Sequence, residues 1–337
     1  NMDRRSVLIL GGKREDTGFV NLISSVYEEL GIEEVIYFPG VVDDFYRALI
    51  NKWVSSGIKI AADEDAGTYL ASYGIKVDFD FDSAVERASV FVCFDRTGYD
   101  LLRANLSGVS SSKKLIILSP VFSGEQHAIY AEGIFKVPFE SERTFCLKIP
   151  EGVDYSIAYF VKLLEKNFSV QEAIDRVKFL VVRDREEGCD FPRNSSREEF
   201  LKKISSNGCG IHISEMKIPA VMDFVYFDVV FKGPVDIQKF VDLFDLDGAV
   251  AMTNKKDMVE IREVEELLRE NGSLLYIILM SVSSIEMVSD RELVGYFFVT
   301  PHFCEAFNII SAITRYFFPR SSEERMRKVY SRMVKEI

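Results

Sequence analysis

Across residues 1–120, short apolar runs alternate with amphipathic stretches, and this rhythm constrains the fold more than any other feature. "SVLILGG", "EEVIYFPG", "IKIAAD", "SVFVCF" and "KKLIILSP" carry the continuous apolar runs of strands covered on both faces. Between them, "FVNLISSVYEELG", "DDFYRALINKWVSSG" and "YDLLRANLSG" place apolar residues at helical spacing. The first two close on Gly31 and Gly57, which suits a helix C-terminus. "DAGTYLASYG" and "FDSAVERA" are short helices flanking "IKVDF". Strand and helix alternating at this period predict βαβ units, hence an α/β fold with a Rossmann-like, doubly wound parallel sheet.

From about Ser141 the rhythm changes. "GVDYSIAYFVKLLEKNF" is an amphipathic helix; "RVKFLVVRD", "DFVYFDVVFKG", "GAVAMT", "SLLYIILMSV" and "ELVGYFFVT" are strands, several of them alternating. "VDIQKFVDLF" and "VEIREVEELLREN" are helical. These elements predict a second domain of α+β type with a mixed or antiparallel sheet. The chain then runs through two helices, "EAFNIISAITRYFF" and "SSEERMRKVYSRMVK", the latter with a capping-box pattern from Ser321 to Glu324. "REEGCDFPRNSSREE" is the most turn-rich and polar stretch and is expected to be mobile.

A length of 337 residues fits two domains. The net charge of −12 works against attraction to nucleic acid phosphates, and the basic stretches "KISSNGCG" and "MRKVYSRMVK" read as solvated helix faces. Apolar runs are too short and too polar at their ends to span a bilayer, and no basic segment with a long apolar run opens the chain. A cytoplasmic protein is therefore expected. Five cysteines without C-x-x-C spacing argue for reduced thiols, without structural zinc or a disulfide framework. Most of the 27 phenylalanines are expected in the core.

"VLILGGKREDTGFVNLI" begins like a nucleotide-binding unit, in which glycines at fixed offsets let a pyrophosphate approach the backbone. The candidate glycines are Gly11, Gly12 and Gly18, but Lys13 to Thr17 break the G-x-G-x-x-G spacing. Glu15 and Asp16 bring carboxylates to where the pyrophosphate would sit, so the stretch reads as a βα turn with exposed charges. The second strand ends on Phe38, Pro39 and Gly40 without an acidic residue for a ribose; Asp43 and Asp44 come later, as a helix cap.

The order of elements resembles the glyceraldehyde-3-phosphate dehydrogenase family, most nearly its archaeal (type II) branch, over nearly the whole chain. "DDFYRALINKWVSSGIKIAAD", "FDSAVERASVFVCF", "IPAVMDFVYFDVVFKGPVDIQKFVDLF" and the stretch from "SLLYIILMSV" to "SAITRYFF" carry the resemblance. It implies a Rossmann-like domain of residues 2–145 with 305–337, a second domain of 146–304, and a C-terminal helix returning to the first. It also implies a nucleophilic cysteine at a helix N-terminus, for which Cys146 in "TFCLKIPEGVDYS" is the match, displaced from the helix by an insertion. Two histidines expected around a valine correspond to Phe224 and Tyr226, which cannot serve as a base near neutral pH; His127 or His212 would have to substitute, and His302 reads as a turn or cap residue. Arg183 and Arg185 echo a substrate-phosphate arginine pair, and Asp95 and Arg96 fall at the turn near the nicotinamide, as a polar site or a local ion pair. The resemblance thus implies a divergent, catalytically degenerate member: a pseudoenzyme that binds a protein, a second copy or a small molecule, with no cofactor expected. The alternative is an oxidoreductase using NAD or NADP and Cys146. The family assembles through the broad sheet of its second domain, and the alternating strands here suit such a face.

Overall fold

The computed structural model describes residues 4–12, 16–40, 42–106, 113–122, 127–135, 137, 139, 144–184, 200, 203–204, 209–218, 223–253 and 276–333. The chain divides into two compact units, residues 1–149 with 305–330 and residues 150–304 with 331–337.

The first unit holds a wholly parallel sheet of seven strands: β1 (Ser6–Leu10), β2 (Glu34–Phe38), β3 (Lys59–Ile60), β4 (Val90–Cys93), β5 (Leu115–Leu118), β6 (Ala128–Ile129) and β7 (Phe145–Lys148). Their order is β3-β2-β1-β4-β5-β7-β6, so the winding reverses between β1 and β4. All residues of β1, β2, β4 and β5 are buried, as their unbroken apolar runs predict. On one face, Leu8, Leu10, Phe91, Cys93, Ile116 and Leu118 pack with residues of α4 (Phe81–Arg87) and α5 (Arg96–Leu106). On the other, Tyr37 of β2 meets Trp53 of α2 (Asp44–Ser55) edge to face at 4.9 Å, and the Trp53 indole N–H donates to Asn21 of α1 (Thr17–Leu30) at 2.8 Å. Helices on both faces make the sheet doubly wound. Gly31 ends α1 in the left-handed region, at φ 77°, as expected of a C-terminal glycine.

Two short strands depart from the sequence reading. "HAIY" supplies β6, and "TFCLKIP", expected as an approach to a helix, supplies β7. Helix α8 (Pro301–Phe317) belongs to the first unit from Glu305 onward. There Arg315 pairs with Glu132 through both carboxylate oxygens, Tyr130 and Ser311 hydroxyls donate to the same carboxylate, and the Glu132 N–H donates to Asn308 at 2.7 Å. The final helix, α9 (Ser322–Met333), follows Ser321, whose carbonyl accepts from Arg325 N–H at 3.2 Å.

The second unit is built on a mixed sheet of β8 (Ile174–Asp184), β9 (Gly210–Ile218), β10 (Asp223–Phe231), β11 (Val250–Thr253), β12 (Ile278–Ser281), β13 (Glu286–Ser289) and β14 (Glu292–Val299). The order is β11-β12-β14-β10-β8-β9, with β13 beside β14; β8–β9 and β11–β12 are parallel and the other pairs antiparallel. Residues of β10 and β14 alternate strictly, with Val225, Phe227 and Val229 and then Leu293, Phe297 and Val299 on the buried face. Phe160 of α6 (Gly152–Asn167) sits over that face, with ring centroids 4.8 Å from Phe227, 5.3 Å from Phe297 and 5.8 Å from Phe179. It also stacks at 5.1 Å on Phe244 of α7 (Ile237–Asp245). Much of the phenylalanine content is here, in the core as expected. "VEIREVEELLREN" and "REEGCDFPRNSSREE" lie outside the described residues.

Candidate functional site

In a doubly wound sheet, the carboxyl ends of the strands beside the winding reversal are where a ligand is expected. Here that edge follows β1, at Gly11 and Gly12. Both glycines are buried, and their missing side chains are needed by the chain itself. A Cβ on Gly11 would lie 2.4 Å from the Tyr37 hydroxyl and 2.7 Å from Asp16 Oδ2; one on Gly12 would lie 2.9 Å from the Phe94 carbonyl oxygen. Gly40, after β2, would meet the Gly11 carbonyl oxygen at 2.4 Å.

Asp16 closes this arrangement. It was expected as one of the exposed charges of the turn, and instead it is fully buried. Its Oδ2 accepts from the Tyr37 hydroxyl at 2.6 Å and from the Gly12 N–H at 3.2 Å. The Tyr46 hydroxyl, from α2, is shared between the Gly12 carbonyl at 2.6 Å and Asp16 Oδ1 at 3.3 Å. Burial raises the Asp16 carboxyl above the ordinary range, against the lowering effect of these donors, and pushes the Tyr37 phenol well up as well. Lys13, Arg14 and Glu15 lie outside the described residues. Gly18, the second residue of α1, is exposed.

The other candidates of this unit have local duties. Asp43 caps α2 by accepting from the Tyr46 N–H at 2.8 Å, as expected. Asp95 accepts from the Gly98 N–H at 3.2 Å and starts α5, while Arg96 pairs with Asp100 at 3.4 Å. Carboxylates beside an open cavity of about 390 Å³ next to β3 are used in the same way: Asp63 caps α3 (Glu64–Ser72), Asp80 caps α4, and Asp78 accepts from the Ile60 N–H.

Cys146 lies in the middle of β7, opposite Ile116 of β5, six residues ahead of Gly152, where α6 begins. It is half-buried against the core that holds Cys93. It was expected at the approach to a helix N-terminus, and instead it is a strand residue, its side chain projecting from a face of the sheet. His127 directly precedes β6, whose Ala128 stands against Leu147, the residue after Cys146 on β7. His212 lies exposed on β9 and His302 exposed in the first turn of α8. Of the residues singled out in the sequence, Cys146 stands on β7 and His127 one residue ahead of β6, the strand paired with it.

In the second unit, Arg183 at the end of β8 is buried and forms an ion pair with Glu151, just before α6. Arg185 lies outside the described residues. Phe224 and Tyr226 point to the sheet face opposite α6, where Phe224 pairs with Phe298 and Tyr226 with Tyr296 across β14. The rings of Phe224, Tyr296 and Phe298 cluster, with centroids 6.2 Å apart for Phe224–Phe298, 6.5 Å for Phe224–Tyr296 and 5.8 Å for Tyr296–Phe298. Tyr226 is 39% exposed and Met216, on β9, 47%. Among the described residues no helix is long and apolar enough to cross a membrane, and no cluster of His, Cys, Asp and Glu could hold a metal ion.

Sequence reasoning missed the Tyr37–Asp16–Tyr46 group. A signal was present: a tyrosine inside an otherwise apolar parallel strand, "EVIYF", must find a partner for its buried hydroxyl. No protein-family model matches the chain, and no curated protein matches it.

Proposed function

We propose that this chain is a divergent relative of the glyceraldehyde-3-phosphate dehydrogenases that acts by binding another protein subunit and performs no hydride transfer. One observation carries the reading. At the positions that the resemblance gives to a catalytic base, β10 carries Phe224, whose ring clusters with Tyr296 and Phe298, and Tyr226, 39% exposed and in register with Tyr296. Rings of this kind, clustered and partly exposed, are the composition of association surfaces. A second copy of the chain is the simplest occupant, since the face would then be buried by the same face of its partner.

Sedimentation velocity of the unmodified chain and of Tyr226→Glu tests this. The unmodified chain should sediment as an oligomer and the variant as a monomer with an unchanged circular dichroism spectrum. A monomeric unmodified chain would refute it, as would steady reduction of NAD or NADP with an aldehyde. The pairing of Ala128 with Leu147, the residues that follow His127 and Cys146, favours a second reading, an oxidoreductase with that histidine and cysteine as base and nucleophile. It requires that alkylation of Cys146 by iodoacetamide remain fast below pH 7 and slow on His127→Ala substitution.

A further inference from the structure

We propose that the open face of the second sheet docks on the same face of a second copy of this chain, about a two-fold axis running along the strands. The basic side of each face then lies against the acidic side of the other. This rests on the self-association proposed above and adds what orients it.

The register across the sheet sorts the face into bands. Arg176 of β8, Val230 of β10 and Glu292 of β14 lie level with one another. In the next band Lys178 of β8 is followed by Asp228 of β10, Val294 of β14 and Glu286 of β13. In the band after that, Leu180, Tyr226 and Tyr296 are level. On each long strand these residues alternate with buried ones, Val177 and Phe179 on β8, Phe227 and Val229 on β10 and Leu293 on β14, so they project from the face opposite α6. Two bands are therefore charged, with the cations on β8 and the carboxylates on β10, β14 and β13, and the third is apolar and aromatic. Burial raises the Tyr226 phenol, and the charges of Asp228, Glu286 and Glu292 raise it further, as carboxylates on its own side of the sheet must.

These charges are not used within the chain. Among the described residues, the ion pairs of the second unit are Lys162–Glu165, Arg183–Glu151 and Lys239–Glu172, and none takes in a charge of this face. Asp228 Oδ1 is buried with no hydrogen-bond donor, which costs free energy until a donor reaches it. A two-fold axis along the strands, through β10, keeps each band level with its counterpart and exchanges the two sides of the sheet. Arg176 then faces Glu292 of the second copy, and Lys178 faces Val294 and Glu286. Tyr296 faces Leu180, and Asp228 is flanked by the Lys178 ammonium groups of both copies. An axis across the strands would lay the charged bands on the aromatic one and bury charge without a partner. The rings supply the affinity and the charges fix the orientation.

Sedimentation velocity of the full chain and of charge-reversed variants tests this. The unmodified chain should associate. Arg176→Glu alone and Glu292→Arg alone should each weaken the association at least about tenfold in Kd, since every change enters a two-fold interface twice. The two together restore the pair in reverse and should return Kd to within about threefold of the unmodified value. Circular dichroism checks that each variant folds. Lys178→Glu with Glu286→Lys, both at exposed positions, supplies a second pair if a member of the first does not fold. Folded single variants that associate as the unmodified chain does overturn the proposal, as does a folded double variant that fails to recover. In both cases the unmodified chain still associates, and the reading above stands. A monomeric unmodified chain overturns both.

Discussion

Glu34 offers the sharpest test of how the first sheet is held. It opens β2 and its side chain is 2% exposed, yet it is ionised. Burial by itself would raise its carboxyl, but hydrogen bonds from Arg87 at 3.1 and 3.2 Å and from Lys59 at 2.7 Å, with the charges of both, hold it at about 2 instead of 4.5. That depression corresponds to about 3 kcal/mol of folding stability. Lys59 and Arg87 are 41% and 29% exposed, so solvent screening reduces the net contribution to about 1–2 kcal/mol. Because the folded value is the lower one, the contribution is complete above the unfolded value of 4.5 and is lost as pH falls from there toward 2. Glu34→Gln should therefore cost about 1–2 kcal/mol at pH 7, and the gap between the two proteins should close below pH 4. Trp53, the single tryptophan, is buried in this unit, so its fluorescence in urea follows this unit alone. A deficit that stays constant from pH 7 to pH 3 would refute the reasoning, since the loss would then be one of packing.

Phe160→Ala removes the ring on which β8, β10, β14 and α7 converge and should cost about 3–5 kcal/mol, measured as a lower urea midpoint in far-ultraviolet circular dichroism of the second unit. A loss under about 1 kcal/mol would mean the cluster repacks freely. Glu132→Gln replaces an acceptor of four donated bonds by a group that must itself donate, and should cost about 2–3 kcal/mol. Hydrogen exchange should then speed up in residues 305–317, and unchanged protection there would show that the apolar face of α8 suffices to hold it.

Legibility followed the source of each element's stability. Strands β1, β2, β4 and β5 were readable because each buries both faces, so their apolar character does not depend on register. β6 and β7 were not, because two and four residues carry no period of their own and are held by Lys148 and Leu147 pairing across the sheet. The pairing of Cys146 with Ile116 makes "TFCLKIP" a strand and not the entry to α6 that the family resemblance implies. At the candidate site the glycines were visible, and so was the carboxylate beside them. Its burial was not, because the hydroxyls that accept it into the interior come from Tyr37 and Tyr46, on elements remote in sequence.

The Gly11–Gly12 pair shows why a glycine motif after a first strand does not settle what binds there. A glycine is required wherever something approaches the Cα closely, and the requirement is the same for a ligand oxygen as for the chain's own hydroxyl or carbonyl. Gly11, Gly12 and Gly40 are each within 3 Å of such an internal atom, measured from where a Cβ would be. Substituting alanine at any of them would therefore damage folding before it could affect binding. The discriminating residue is the one that fills the space in front of the glycines. In this chain the Tyr37 hydroxyl and Asp16 fill it at Gly11, the Phe94 carbonyl at Gly12 and the Gly11 carbonyl at Gly40, so each of the three glycines is accounted for by the chain's own packing.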